Sequence, residues 1–212
     1  MAFSIGMPWN EGEERMHRLL RVPPQDNPTS TMLTPQATNM FQRAPLLAFG
    51  TLDAQSRPWT TLWGGEPGFS EPLGGGFVGT RALVDSENDP VVQALVGDAK
   101  DGQMSKPQNG GKLVAGLAID LMTRKRVKTA GRMVAGTIRH LDDEPSAQQI
   151  QLVTKIEQSL GNCPKYLNQY EIFPAPISPK LSSRGPSLTP QAKALHSCMD
   201  ETFLALQQAS FT

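Results

Sequence analysis

The chain reads as a mainly β protein, a small barrel or sandwich of about six short strands with peripheral helices. Three observations predict it. A hairpin pattern covers residues 46–64, where LLAFGTLD and RPWTTLWG flank the short polar turn Ala54-Gln55-Ser56. A second pair of strand-like runs, KLVAGLAIDLM at 112–122 and RVKTAGRMVAGTIRHL at 126–141, meets across a turn at 123–125. Composition agrees, since 19 Gly and 18 Pro in 212 residues favour turns over long helices.

In chain order, EGEERMHRLLR at 11–21 has acids at its front and bases at its back, as a helix dipole prefers, with Met16, Leu19 and Leu20 as an apolar stripe. Pro23-Pro24 ends it, and His17, with no Cys, Asp or second His at metal spacing, reads as a surface or packing residue. Thr34-Pro35 supplies an N-cap and a first-turn proline for a helix to about residue 43. After the hairpin, GGEPGFSEPLGGG carries too many glycines and prolines for regular structure and reads as a corner. GFVGTR at 76–81 is a third short strand, and Asp89-Pro90 caps a helical turn closed by Gly97. The polar, glycine-rich loop 98–111 is the candidate for disorder or a mobile lid.

The run at 112–122 is apolar enough to be buried on both faces, and its partner is interrupted at Gly131 and Gly136, where bulges would bend it. His140, alone at a strand end, reads as an interfacial or a satisfied residue rather than a catalytic one. Residues 149–158 fit a strand and a helix equally well. Cys163 reads either as a redox nucleophile helped by a helix N-terminus and Lys165 or, as favoured here, as a small buried hydrophobe. FPAPISPKLSSRGP is a linker, and Ala192, Leu195, Met199, Phe203 and Leu206 give the last segment an amphipathic helical pattern.

Lys+Arg 20 against Asp+Glu 20 leaves no net charge, so no global field draws in nucleic acid or an anionic membrane, and any anion site is local. Two cysteines are too few for a disulfide framework, no apolar run reaches transmembrane length, and a cytoplasmic protein is the simplest expectation. No phosphate loop, metal quartet or Ser/His/Asp signature stands out, and no metal is expected. The strand with Trp59, Thr60, Thr61 and Trp63, followed by glycines, suits a flat phosphorylated ligand or a hairpin with core tryptophans. Similarly, TRKRVK grips a phosphate or solvates a hairpin end.

The succession FGTLDAQSRPWTTLWGGEPGF, FVGTR with NDPVV, AIDLMTRKRVKTAGRM and QSLGNCPKYL resembles the pyridoxamine 5′-phosphate oxidase-like family, specifically its flavin-nucleotide-binding split-barrel proteins. The resemblance spans roughly residues 11–172 and implies a six-stranded antiparallel split β-barrel of the FMN-binding type. It implies an N-terminal helical segment at 1–45, the barrel at 46–173, a linker at 174–188 and a C-terminal helix at 189–212. It also resolves 149–158 as a strand leading into a helix at GNCPKYL.

Family members hold FMN in a groove between two barrels, so the resemblance implies FMN and a homodimer or second split-barrel subunit. Matched position by position, Thr60, Thr61, Thr80 and Arg81 would grip the flavin phosphate, Trp63 with Trp59 would cover the ring system or lie in the core, and Arg126 and Lys128 match a basic hairpin. The substrate motifs of the vitamin-processing oxidases are missing, and the C-terminal segment resembles only the beginning of a second barrel, so a shortened form is expected. Two functions follow: an FMN-dependent oxidoreductase acting on an unidentified small molecule, needing no conventional acid/base residue, or a non-catalytic flavin-binding or partner-assembling module.

Overall fold

A computed structural model describes residues 6–141, 144–162, 167–173 and 187–194. Helix α1 (Glu11–Leu19) opens with a capping box: Asn10 Oδ1 accepts the Glu13 N–H, and the Glu13 carboxylate accepts the Asn10 N–H. Its apolar stripe stays outside the core, with Leu19 and Leu20 about two-thirds exposed. His17 packs edge-on against Trp9, 4.6 Å between ring centroids. Helix α2 (Pro35–Arg43), capped by the Thr34 hydroxyl, buries Ala37, Met40 and Phe41.

Seven strands follow: β1 (Leu46–Leu52), β2 (Pro58–Gly64), β3 (Ser70–Gly74), β4 (Phe77–Val84), β5 (Lys112–Asp120), β6 (Lys125–Leu141) and β7 (Glu144–Asn162). They form one antiparallel sheet in the order β2-β1-β5-β6-β7-β4-β3. Helix α3 (Pro90–Val96) lies between β4 and β5 in the chain. Among the described residues no ladder joins the edge strands β2 and β3, so the sheet is open in its hydrogen bonding, although β2 and β4 touch.

The core lies against one face of this sheet. Leu47, Phe49, Trp63, Val78, Val114, Val127, Met133, Ile150 and Leu152 point inward, and α2 and α3 cover them with Met40, Phe41, Val92 and Leu95. Lys112 Nζ donates to the carbonyls of Ala94 and Leu95 and so satisfies the last turn of α3.

Four expectations change. The corner after the hairpin contains a strand, β3, making seven strands where six were expected; Pro72 is tolerated because β3 is an edge strand with an irregular register between Pro72 and Gly74. Among the described residues β5 is buried on one face only, because none of them forms a layer over its other side: Val114 and Ala118 point in while Leu113 is 49% exposed. The loop 98–111 is fastened to β6, not a free lid, by paired backbone bonds between Ser105 and Gly136 and by Gly102 N–H donating to Ile138 O. Gly161-Asn162 prolongs β7 against Val127 and Arg126.

The helix expected at GNCPKYL, including Cys163 and Lys165, falls largely outside the described residues, as do linker residues 174–186 and residues 195–212 with Cys198. Residues 190–194 form a helical turn whose Ala192 N–H is capped by the Thr189 hydroxyl.

The ladder between β6 and β7 shifts register at Ala130/Gly131 and again between Met133 and Ala135. At Gly131 a Cβ would stand 2.0 Å from the Lys155 carbonyl oxygen, so glycine alone lets the two backbones meet. Gly131→Ala is expected to destabilise the chain by about 1–3 kcal/mol, the usual cost of overpacking, and urea unfolding followed by circular dichroism measures it.

Candidate functional site

Alternation along β2 divides the predicted residues between two faces. Thr61 and Trp63 point inward. Trp63 is buried, stacks on Phe49 with ring centroids 5.0 Å apart, and donates its indole N–H to Asp89 Oδ2 at 3.2 Å. The Thr61 hydroxyl donates to the same oxygen at 2.7 Å, while Asp89 Oδ1 accepts the Val91 and Val92 N–H groups as the cap of α3. One carboxylate thus joins β2 to α3 and occupies both side chains. Of the two roles open to Trp63, the structure shows the core one.

Thr60 points outward, and the strand registers align it with residues on four other strands. One row runs Thr60, Gly50, Ala115, Ala130, Gln158 across β2, β1, β5, β6 and β7. The adjacent row runs Leu62, Ala48, Leu117, Lys128, Leu160. The first row is low in the middle, because Gly50, Ala115 and Ala130 present little or no side chain, and the second supplies taller walls. Between them lies a cleft of about 500 Å³, within the range of small-molecule sites. At the usual strand spacing of ~4.8 Å the five-strand row is roughly 19 Å long.

The cleft is mostly apolar, with Thr60 at one end and Lys128 on its wall. Among the described residues neither side chain has a hydrogen-bond or ion-pair partner within the chain. A Cβ at Gly50 would approach the Trp59 carbonyl oxygen to 3.3 Å and the Thr60 hydroxyl to 3.5 Å, in space that the glycine leaves to the cleft. Arg126 lies two residues before Lys128 and projects to the same face, beside the hairpin turn where Asp120 accepts from the Thr123 hydroxyl.

Thr80 and Arg81 belong to the other half of the sheet. Thr80 is buried, its hydroxyl 2.9 Å from that of Ser70. Arg81 points outward beside a separate cleft, also about 500 Å³, over β3, β4, β7 and β6. The seven predicted residues therefore do not converge within one chain: Thr60 and Lys128 share a cleft, Arg126 flanks Lys128, Thr61 and Trp63 serve the Asp89 cap, and Thr80 and Arg81 lie apart. Ala48, Gly50, Ala115 and Ala130 line the cleft without standing out as site residues in the sequence. Small residues at alternate positions, Ala48-x-Gly50 in particular, are the signal that hints at them, but only the register assembles the row.

At the hairpin tip Asp53 accepts the Trp59 indole N–H at 2.9 Å, the backbone N–H groups of Gln55 and Arg57, and the Arg57 guanidinium at 2.7 Å. The indole bond above all holds its carboxyl well below the usual carboxylate range; desolvation opposes it, and the Arg57 and Gln55 donors each add a smaller lowering. Trp59 is thereby fixed to the turn, with the Arg57 guanidinium 5.8 Å from its ring centroid. Asp101 is lowered likewise, first by the His140 N–H and then by the His140 ring. His140 is thus engaged with the fastened loop.

No helix among the described residues is long and apolar enough to cross a membrane, and no group of three or more His, Cys, Asp or Glu among them could hold a metal ion. No family model and no curated protein matches the chain. Among solved structures it is similar to a protein from Lactobacillus delbrueckii provisionally described as a pyridoxamine 5′-phosphate oxidase, with 18% identity, TM-score 0.37, and coverage of 62% of this chain and 95% of that one. It is also similar to an FAD and heme binding protein from Mycobacterium smegmatis, with 10% identity, TM-score 0.36, and coverage of 79% and 97%. A third similar structure is the heme storage protein HutZ from Vibrio cholerae, with 13% identity, TM-score 0.36, and coverage of 61% and 95%. A likeness at this level carries no function from one protein to another.

Asp89→Ala is expected to cost about 2 kcal/mol, since it removes a helix cap and leaves the Trp63 N–H without its acceptor; thermal denaturation measures it. For Asp53 the lowered folded-state pKa means that its contribution is complete above the unfolded value of about 3.9 and is lost as pH falls toward the folded value. The Tm gap between wild type and Asp53→Asn should therefore hold from pH 8 to pH 5 and shrink below about pH 4. A gap that widens on acidification would contradict that sign.

Proposed function

We propose that the chain binds a flavin nucleotide, FMN, in the outer cleft across β2, β1, β5, β6 and β7, and works as a flavin-dependent oxidoreductase on a small molecule. The observation that carries this reading is the row of small residues, Gly50, Ala115 and Ala130, bordered by Thr60 and Lys128. A planar ring system lies flat on a strip without tall side chains, and dispersion contacts along the strip favour it over water. FMN also brings close to two negative charges, for which the Lys128 ammonium and the Thr60 hydroxyl are local donors, with Arg126 reinforcing the positive potential. The motif succession that resembles flavin-binding split-barrel proteins agrees.

When bound, the flavin supplies the hydride or electron transfer, and the chain's own residues hold it and limit access of water. That division of labour fits a cleft walled by Leu117 and Leu160. The cleft is open on its outer side, and Leu62, beside Thr60, is 58% exposed. Both features favour a homodimer or a second split-barrel subunit that covers the bound ring, and the same surface suits the alternative of a flavin-binding module without catalysis.

In fluorescence titration FMN is expected to bind saturably, with Lys128→Ala weakening binding by about tenfold or more. Ala115→Leu, on the exposed face, should abolish binding by filling the cleft while leaving the fold intact by circular dichroism. Bleaching of the flavin absorbance by NADH or NADPH without oxygen separates the oxidoreductase from the passive module. Wild-type affinity in both variants, or no flavin binding by the oligomer, would reject the assignment.

A further inference from the structure

The second cleft has its own chemistry. The register sets Arg81 opposite Gln151 on β7, and Gln151 opposite Thr137 on β6, so three polar side chains stand in line across the outer face. Arg81 is exposed and, among the described residues, has no hydrogen-bond or ion-pair partner. The Thr137 hydroxyl is shielded from solvent and, among the described residues, has no hydrogen-bond partner. A buried hydroxyl without a partner normally signals a water or ligand atom that completes it. The Gln151 amide donates to Gln149 Oε1 at 2.9 Å, which keeps its oxygen available as an acceptor.

Beside this polar row runs a low one, Gly79, Val153 and Ala135, with Leu73 folded over Gly79 so that a Cβ there would lie 3.2 Å from a Leu73 methyl. Phe69 and Met104 add apolar wall, while Glu66 and Glu71 are exposed carboxylates on the lining. Glu71 pairs with Gly79, which makes it a diagonal neighbour of Arg81. One guanidinium against two carboxylates opposes a phosphate dianion. It suits a molecule carrying both signs.

We propose that this cleft binds a small zwitterion, an α-amino acid with an apolar side chain. Arg81 takes the carboxylate, with the Thr137 hydroxyl as a second donor. Glu71 and Glu66 take the ammonium, with the Gln151 carbonyl oxygen in support, and the side chain rests on Phe69, Leu73 and Met104. The site does not depend on flavin, so it stands or falls separately from the function proposed above.

Amide chemical shifts of the full-length protein, followed by NMR during titration with phenylalanine, test the site. Saturable shifts in the millimolar range are expected for residues of β3, β4, β6 and β7. Phenethylamine, lacking the carboxylate, and 3-phenylpropionate, lacking the ammonium, should each bind at least about tenfold more weakly, since each loses a charge-assisted contact. Arg81→Gln, and independently Glu71→Gln on the exposed edge strand, should weaken phenylalanine by a similar factor. Absence of saturable shifts, equal binding of either analogue, preferential binding of inorganic phosphate, or wild-type affinity in a folded Arg81→Gln protein would each overturn the proposal.

Discussion

The ladder between β6 and β7 joins the two halves of the sheet, with β5, β1 and β2 attached on one side and β4 and β3 on the other. Its two backbones approach closely and stay paired past three shifts of register, at Ala130/Gly131, Met133/Ala135 and His140/Leu141. At Gly131 that approach leaves no room for a side chain, and at Gly136 a Cβ would meet Leu152 and Val96. The inner face of the ladder, with Val127, Met133, Ile150 and Leu152, is also where the core collects. Strand pairing and core packing therefore impose the same register.

Two consequences reach the surface. Residues that face out from β6 and β7 are shared between the clefts: Lys128, Ala130, Gln158 and Leu160 near one end, Ala135, Thr137, Gln151 and Val153 near the other. Between these sets the bulges change which residues face outward. Each cleft is a groove in the sheet face that the described helices leave uncovered, made where small residues interrupt larger ones. The exposed Leu62, Leu73 and Leu113 show how much apolar surface that face retains.

The carboxylate of Asp89 has a different part. It caps α3, receives Trp63 and Thr61, and so holds β2 against the helix that covers the core. Thr61, attractive as a phosphate donor when read as one of two adjacent hydroxyls, spends its proton on this bond. Thr60, its neighbour, faces the opposite way, and a period of two is enough to give adjacent threonines unrelated surroundings.

Most of the elements were legible in the chain itself, because hydrophobic alternation, caps and turn residues are local signals. The hairpin 46–64, the two proline-started helices and the long glycine-interrupted strand follow from them. β3 was not legible, since its proline and glycines are acceptable only at a sheet edge, and edge position is a property of the assembled sheet. Nor was the one-sided burial of β5, whose apolar run says nothing of what covers its second face. For the sites, the sequence determined which hydroxyls and bases exist and that no net charge dominates them. The tertiary structure alone decided that Thr60 and Lys128 share a groove, that Thr61 and Trp63 serve Asp89, and that Arg81 aligns with Gln151 and Thr137. Such groupings depend on cross-strand register between distant segments, which long-range pairing and core packing set and no local pattern encodes.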